Sequence, residues 1–123
     1  IADVVPYYAA ADLYVQPTFY DPCSLVVLEA LAAGLPVVTT RHNGAGELIS
    51  PGREGEILPH PDDAEALAAV LTPLVASRER REAMGQSARR LALKHTLQRN
   101  CEEIIAVYEE VVARKQSPAR RAA

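Results

Sequence analysis

Two acidic residues lie near each other in the sequence, one just before its most apolar helical segment and one within that segment. At this spacing their side chains could hold the two ends of one polar ligand. Asp21 precedes the segment, and Glu29 lies inside it eight residues later. If the intervening chain is helical, this offset spans at most about 12 Å. That length is comparable to the distance between the sugar and the ribose of a nucleotide sugar, so the pair could contact hydroxyl groups at both ends.

Glu29 is the only charged residue of a helix predicted over residues 24–33. It shares a helical face with Leu25, Ala32 and Ala33, and we therefore expect it to be buried. A buried carboxylate is costly unless it is hydrogen-bonded, so Glu29 should have a partner. The partner is either a protein group in a structural role or a ligand, and the residues alone favour neither.

Asp21 could act at the start of the same helix in two ways. A carboxylate there can accept from the unbonded N–H groups of the first turn, or it can contact a polar ligand above the helix N-terminus. The uncapped backbone amides of Cys23, Ser24, Leu25 and Val26 lie between the two acids. These amides would form a site for a diphosphate without a metal ion. One ligand with a hydroxylated group at each end and a diphosphate between would satisfy all three features.

Strands and helices alternate through the first half of the chain. The patterning predicts helices at 4–11, 24–33 and near 46–49, and strands at 13–15, 37–40 and 56–58. Gly34 and Pro36 end the second helix. Such alternation is typical of βαβ crossovers, so the predicted fold class is α/β, a Rossmann-like parallel sheet with flanking helices.

From Asp62 onward the sequence predicts only helices. Asp62 and Glu65 have the spacing of a capping box, and apolar residues then recur at helical intervals through three helices, the last at about 97–114. With only three strands the sheet is predicted to be part of a larger doubly wound domain. We expect a partial nucleotide-sugar-binding domain at 1–115 and a flexible tail at 116–123, which includes Arg120 and Arg121.

Composition argues against several other functions. The 13 basic and 16 acidic residues give a net charge of −3, which does not favour nucleic acid or anionic lipid as a partner. No apolar run approaches the roughly 18 residues of an integral membrane segment. Cys23 and Cys101 suggest no disulfide framework, and His42, His60 and His95 lack metal-ligand spacing, so no metal and a reducing compartment are expected. The chain begins with Ile1, which we interpret as a sign of a fragment.

Three stretches of the sequence together resemble glycosyltransferase family 4. They are the run Tyr20-Asp21-Pro22-Cys23-Ser24-Leu25-Val26-Val27-Leu28-Glu29-Ala30-Leu31-Ala32-Ala33-Gly34-Leu35-Pro36-Val37-Val38, the loop Gly44-Ala45-Gly46-Glu47 and the upstream Ala10-Ala11-Asp12-Leu13-Tyr14-Val15-Gln16-Pro17. The family pattern has two acidic residues separated by seven, a helix, Gly-x-Pro-Val-Val and a glycine-rich loop. The resemblance covers most of residues 1–112. Asp21 departs from it, because the family usually has Glu there.

The resemblance implies roles for the site residues. Glu29 would accept hydrogen bonds from the donor ribose, and Asp21 would contact hydroxyls of the donor sugar. The backbone amides around Ser24, with Cys23, Leu25 and Val26, would meet the diphosphate. The fold would be the C-terminal half of a GT-B enzyme, and no cofactor is expected beyond the nucleotide diphosphosugar donor.

The implied activity is metal-independent hexosyl transfer with retention of configuration, to a saccharide or lipid-linked acceptor held by a missing N-terminal domain. The chain alone would then be inactive. We expect a cytoplasmic protein, peripheral to the membrane through the missing domain. A non-catalytic nucleotide-binding or interaction module and a nucleotide-sugar epimerase of the same architecture are the alternatives.

Four further residues near the two acids have simpler interpretations. Cys23 is expected to pack as a small residue rather than act as a reactive thiol, and Glu47 to cap or pack against its own loop. Gly44 and Gly46 are predicted to adopt positive φ angles.

Overall fold

The structure, a computed structural model, describes residues 3–116 and consists of three strands, five helices and one 3₁₀ turn. In chain order the elements are α1 (Val5–Ala10), β1 (Tyr14–Gln16), α2 (Leu25–Ala32), β2 (Val37–Thr40), the 3₁₀ turn (Gly44–Leu48), β3 (Gly55–Leu58), α3 (Ala64–Ala76), α4 (Arg78–Ala92) and α5 (Leu97–Gln116). The predicted α/β class is confirmed. Of the predicted tail, only Gln116 falls within the described residues, and Arg120 and Arg121 lie outside them.

The three strands form one parallel sheet in the order β1, β2, β3. β2 is the central strand, and all four of its residues are buried because it is paired on both edges and covered on both faces. Its β-branched run Val37-Val38-Thr39-Thr40 suits such a position. β1 begins at Tyr14, one residue later than predicted. In its pairing with β2, Tyr14 lies opposite Val37 and Gln16 opposite Thr39.

Adjacent residues of β2 point into two different parts of the core. Val37 packs in a cluster with residues of α2, including Val27 and Leu31. Val38 packs in a second cluster with Leu74 of α3 and others. Successive side chains of a strand face opposite sides, so helices cover both faces of the sheet.

Two glycines allow α4 to pack closely against the end of α2. Gly34 follows α2 with φ +81°, the left-handed conformation that glycine adopts without steric cost. A Cβ atom on Gly85 of α4 would lie 2.1 Å from the carbonyl oxygen of Gly34. Glycine at position 85 is therefore required by the close approach of the two backbones.

The N-cap of α3 is Asp63 and not Asp62, which corrects the predicted capping box. The helix begins at Ala64, so Asp63 has non-helical backbone angles and its carboxylate accepts from the Ala66 amide at 2.8 Å. The spacing to Glu65 had placed the cap one residue too early.

Replacing Asp63 with alanine should therefore destabilise the protein by about 1 kcal/mol, the usual cost of losing an N-cap. Asp62→Ala is the matched control, because it changes a neighbouring carboxylate that does not cap the helix. Thermal denaturation of both variants tests the assignment. Equal losses for the two, or a larger loss for Asp62→Ala, would contradict it.

The chain divides into two compact units, one extending to Leu93 and the other starting at Lys94. The second unit consists of α5, whose side chains are all exposed within the described part of the chain. Its predicted apolar residues, including Ile104, Val107 and Tyr108, are present on the helix but not buried. No helix within residues 3–116 combines the length and the apolarity needed to cross a bilayer.

Candidate functional site

Asp21 and the start of α2 lie at the carboxyl edge of the sheet, where ligands bind in open α/β folds, and Glu29 lies further along α2. β1 ends at Gln16, and the chain then runs through Asp21 to the start of α2. β2 ends at Thr40 and continues into the loop that contains Asn43. The two loops are joined there by a short parallel bridge between Asp21 and Asn43.

A network of buried and half-buried side chains holds the start of α2 between these two loops. The Ser24 hydroxyl donates to Oε1 of Gln16 at 3.1 Å. Asn43 accepts from the amides of Ala45 and Ser24 through Oδ1, at 3.0 and 3.4 Å. Its Nδ2 donates to the Thr39 hydroxyl at 3.2 Å. Every polar group in the network that we have named has a partner, so the α2 N-terminus is fixed in place.

Gly44 permits the close contact between the two loops. Its amide donates to the Asp21 carbonyl oxygen at 2.8 Å, and a Cβ atom at this position would lie 1.8 Å from the Pro22 carbonyl oxygen. The predicted positive φ angles at Gly44 and Gly46 are wrong, because the positive-φ glycines of the described chain are Gly34 and Gly52. Glycine is needed at position 44 because it has no side chain, and not because of its backbone conformation.

The amides of the first turn of α2 remain available for a ligand. Ser24 is the N-cap residue, but its hydroxyl is bonded to Gln16 and does not cap the helix. Among residues 3–116, no hydrogen bond uses the N–H groups of Leu25 or Val26. Unbonded amides at a helix N-terminus favour an anion, since the helix dipole adds to their own partial charge.

Asp21 lies beside these amides and is half-buried. Its Oδ1 accepts from the Cys23 amide at 3.2 Å, so the carboxylate stabilises the turn that leads into α2. The bonded amide, that of Cys23, lies two residues ahead of the helix, so the amides of Leu25 and Val26 are left for a ligand. The capping interpretation therefore holds for the preceding turn and not for the helix itself.

Glu29 is exposed, which corrects the expectation that it would be buried in an apolar helix. The face it shares with Leu25, Ala32 and Ala33 is the outer face of α2, and Leu25 is 69% exposed. The buried face of the helix is formed instead by Val27, Ala30 and Leu31. With apolar residues on all sides, the helix gave no sequence signal for which face the sheet would cover.

The Glu29 carboxylate nevertheless has a protein partner and opens on a cavity. The Tyr8 hydroxyl of α1 donates to Glu29 Oε2 at 2.9 Å. A cavity of about 560 Å³, here called the Glu29 cavity, adjoins the pair. It is lined by Val4, Val5, Tyr8, Ala9, Glu29, Ala32, Ala33 and Arg89. Its wall is mostly apolar, with one carboxylate, one phenol and one guanidinium as polar groups.

Both acids act electrostatically on one half-buried tyrosine, Tyr14. Burial raises the pKa of Tyr14, and the negative charges of Asp21 and Glu29 raise that pKa further. Both carboxylates are thus close enough to Tyr14 to act on its charge. A ligand that contacts both would lie along the first turns of α2.

For Cys23 and Glu47 the structure differs from the predictions. Cys23 is exposed, so the interpretation of a packed small residue is wrong. Glu47 is exposed and has no hydrogen-bond partner within residues 3–116, and the cap of its 3₁₀ turn is Asn43. No group of three His, Cys, Asp or Glu side chains in the described residues is arranged to hold a metal ion.

A second cavity, of about 460 Å³, lies at the opposite edge of the sheet near Asp12 and Arg81. Arg81 donates there to the carbonyl oxygens of Leu74 and Val75 at 2.8 and 3.0 Å, and to Asp12 at 3.2 Å. The guanidinium thus closes the C-terminus of α3 and is not available to a ligand. This cavity lies between the segments that follow α1 and α2 and the first turns of α4.

Sequence reasoning did not identify Tyr8, Gln16, Thr39 and Asn43 as part of the site. The sequence predicts Thr39 only as part of a strand, and it places Gln16 just after a strand and Asn43 between two elements. One signal was available, since an Asn just before a Gly-rich turn is a preferred cap residue. Tyr8 gave no such signal, because its contact with Glu29 joins residues 21 positions apart.

Comparison with known proteins agrees with this geometry. Residues 2–91 match the family described as "Glycosyl transferases group 1". A GDP-mannose-dependent alpha-mannosyltransferase of Mycolicibacterium smegmatis is 36% identical over 108 residues, which are 88% of this chain and 28% of that protein.

Solved structures show the same fold. Sucrose-phosphate synthase from Thermosynechococcus elongatus superimposes with a TM-score of 0.81 at 27% identity, over 89% of this chain and 28% of that one. Anabaena HepE, solved in complex with UDP-glucose, has a TM-score of 0.72 at 23% identity, over 85% of this chain and 30% of its own.

The chain spans less than a third of the length of each of these proteins. The family match covers most of the chain, and it includes the whole carboxyl edge of the sheet with both acids and the start of α2. On this evidence the chain belongs to the group 1 glycosyl transferases.

Proposed function

We propose that the chain is the donor-binding part of a retaining, metal-independent glycosyltransferase of family 4. The donor is a nucleotide diphosphosugar, and a hexosyl unit passes to a saccharide or lipid-linked acceptor. The observation that carries the proposal is the uncapped first turn of α2, with the Asp21 carboxylate before it and the Glu29 carboxylate beyond it.

In this proposal each feature meets one part of the donor. The amides of Cys23 to Val26 line the diphosphate, with Leu25 and Val26 as the donors that have no acceptor among residues 3–116. Glu29 accepts from the ribose hydroxyls, and Asp21 contacts hydroxyls of the sugar. Ser24 and Glu29 are five residues apart, which is about 7.5 Å along a helix, a length that suits a diphosphate followed by ribose.

In the reaction these residues would stabilise the leaving group, the nucleoside diphosphate. When the glycosidic bond to the diphosphate breaks, negative charge grows on the leaving oxygens, and fixed amides at the helix N-terminus stabilise that charge without reorganising. No metal ion is needed for this step in the proposal. The acceptor and the cations that neutralise the diphosphate would come from a further domain, and the protein would act in the cytoplasm.

Relatives suggest which donors to test. The mycobacterial relative is named for GDP-mannose, and the HepE structure contains UDP-glucose. Titration of the protein with GDP, UDP and ADP, followed by amide chemical shifts, should show shifts at residues 21–26 and at Glu29 for at least one nucleotide. Shifts confined to the Asp12 and Arg81 side of the sheet would overturn the proposal.

Turnover separates the proposed enzyme from its alternatives. With a nucleotide hexose and an acceptor, the complete protein that contains this chain and the further domain should give a product that keeps the anomeric configuration of the donor, which NMR coupling constants report. Nucleotide binding with no turnover would favour a non-catalytic module. Inversion at a donor sugar carbon without transfer would favour an epimerase.

Asp21→Asn tests the proposed contact with the sugar. The amide oxygen of asparagine can still accept from the Cys23 amide, so the turn should keep its structure. Because one charged hydrogen bond to the sugar is lost, kcat/KM of the complete protein should fall by about tenfold or more. Affinity for the nucleoside diphosphate, which lacks the sugar, should not change. If the substitution weakened the binding of the donor and the binding of the nucleoside diphosphate equally, Asp21 would act only on the turn.

A further inference from the structure

Tyr8 is held in place independently of its hydroxyl group. It belongs to the short helix α1, and its ring packs against the core cluster that contains Val27 and Leu31. The ring also lies against Tyr14, with 6.5 Å between ring centroids and a tilt of 53°. Because the ring is anchored in this way, the phenol oxygen is a fixed point beside the Glu29 cavity.

The Tyr8 hydroxyl bonds to one of the two carboxylate oxygens of Glu29. It donates to Oε2 at 2.9 Å. Among the described residues no other donor bonds to this carboxylate. Burial, and then the hydrogen bond to Glu29, raise the pKa of Tyr8 to about 12. The phenol is therefore protonated near neutral pH and remains a donor to Glu29.

An exposed glutamate without such a contact samples several rotamers. A ligand that needs one of them must then order the side chain when it binds, which lowers affinity. A hydrogen bond from a rigid ring removes most of that cost in advance. The second carboxylate oxygen stays available to accept from a ligand in the cavity.

We propose that Tyr8 is a positioning residue for the nucleotide site, which holds Glu29 in the rotamer that accepts from the ribose. This inference rests on the proposed function, because it assumes that Glu29 contacts ribose hydroxyls. Tyr8 lines the cavity, and its hydroxyl acts on the ligand only through Glu29.

The test is Tyr8→Phe, which removes the hydroxyl and keeps the ring in its packing position. Affinity for the nucleoside diphosphate that binds the unmodified protein best should fall about fivefold, as expected for one hydrogen bond. The same variant should bind the 2′,3′-dideoxy analogue as the unmodified protein does, within twofold. Tyr7→Phe is the matched control, since Tyr7 is the next residue and is 66% exposed; it should change neither affinity.

The outcomes separate this inference from the proposed function. If Glu29→Gln weakens binding and Tyr8→Phe does not, the positioning role is wrong and the ribose contact stands. If Tyr8→Phe weakens the normal and the dideoxy nucleotide equally, Tyr8 has only a structural role. If neither substitution changes affinity, both the ribose contact and the positioning role are wrong.

Discussion

Gly44→Ala should lower the melting temperature by about 10 °C or more, because it forces the two loops of the site apart. The new Cβ atom would lie 1.8 Å from the Pro22 carbonyl oxygen and 2.8 Å from its carbonyl carbon. Both are backbone atoms, so no side chain can rotate to relieve the overlap. The loss in folding free energy should be about 3 kcal/mol, measured by thermal or urea denaturation.

The same substitution should weaken nucleotide binding, since separation of the loops disturbs the start of α2. Gly46→Ala, two residues along the same 3₁₀ turn, is the control. Its Cβ atom would meet the Thr40 oxygen at 3.2 Å and the flexible end of Ile57 at 3.3 Å. We expect a loss of about 1 kcal/mol there. A Gly44→Ala protein as stable as Gly46→Ala would show that the loops do not approach as closely as described.

Glu29→Gln should reduce affinity for the nucleoside diphosphate by about 30-fold, or about 2 kcal/mol, because a charged acceptor for ribose hydroxyls is lost. The melting temperature should change little. Glu29 is exposed, and a glutamine oxygen can still accept from the Tyr8 hydroxyl. Calorimetric titration and a thermal melt on the same sample measure both quantities.

Glu82→Gln is the matched control for this experiment. Glu82 is also an exposed helical glutamate with one protein partner, Arg78, and it lies on the cavity at the opposite edge of the sheet. Exposed ion pairs of this kind contribute little to stability, so neither affinity nor melting temperature should change. If Glu29→Gln lowered the melting temperature while affinity stayed the same, Glu29 would have a structural role only.

Much of the fold was predictable, because local patterns decide it. The buried strand Val37–Thr40 was predicted with its observed bounds, since four β-branched residues after Gly34 and Pro36 leave few alternatives. Helix positions were correct to within a few residues, and most errors were at ends. At α3, for example, the choice between Asp62 and Asp63 as the cap depends on one residue of helix length.

Less of the candidate site was predictable. The sequence places Asp21, the start of α2 and Glu29 in order along the chain, and this is enough to suggest a ligand with three parts. It does not show that Glu29 faces outward, because α2 is apolar on every side. It does not show the role of Gly44 either, since that depends on Pro22, a residue of a different loop.

The sequence by itself determined the alternation of elements, the central strand and the spacing of the two acids, all of which are local properties of neighbouring residues. Tertiary structure decided what surrounds them. Packing of the sheet selected the buried face of α2, brought Tyr8 to Glu29, and diverted Ser24 from the helix cap to Gln16. These contacts join residues far apart in sequence, and only the folded chain sets the distances between them.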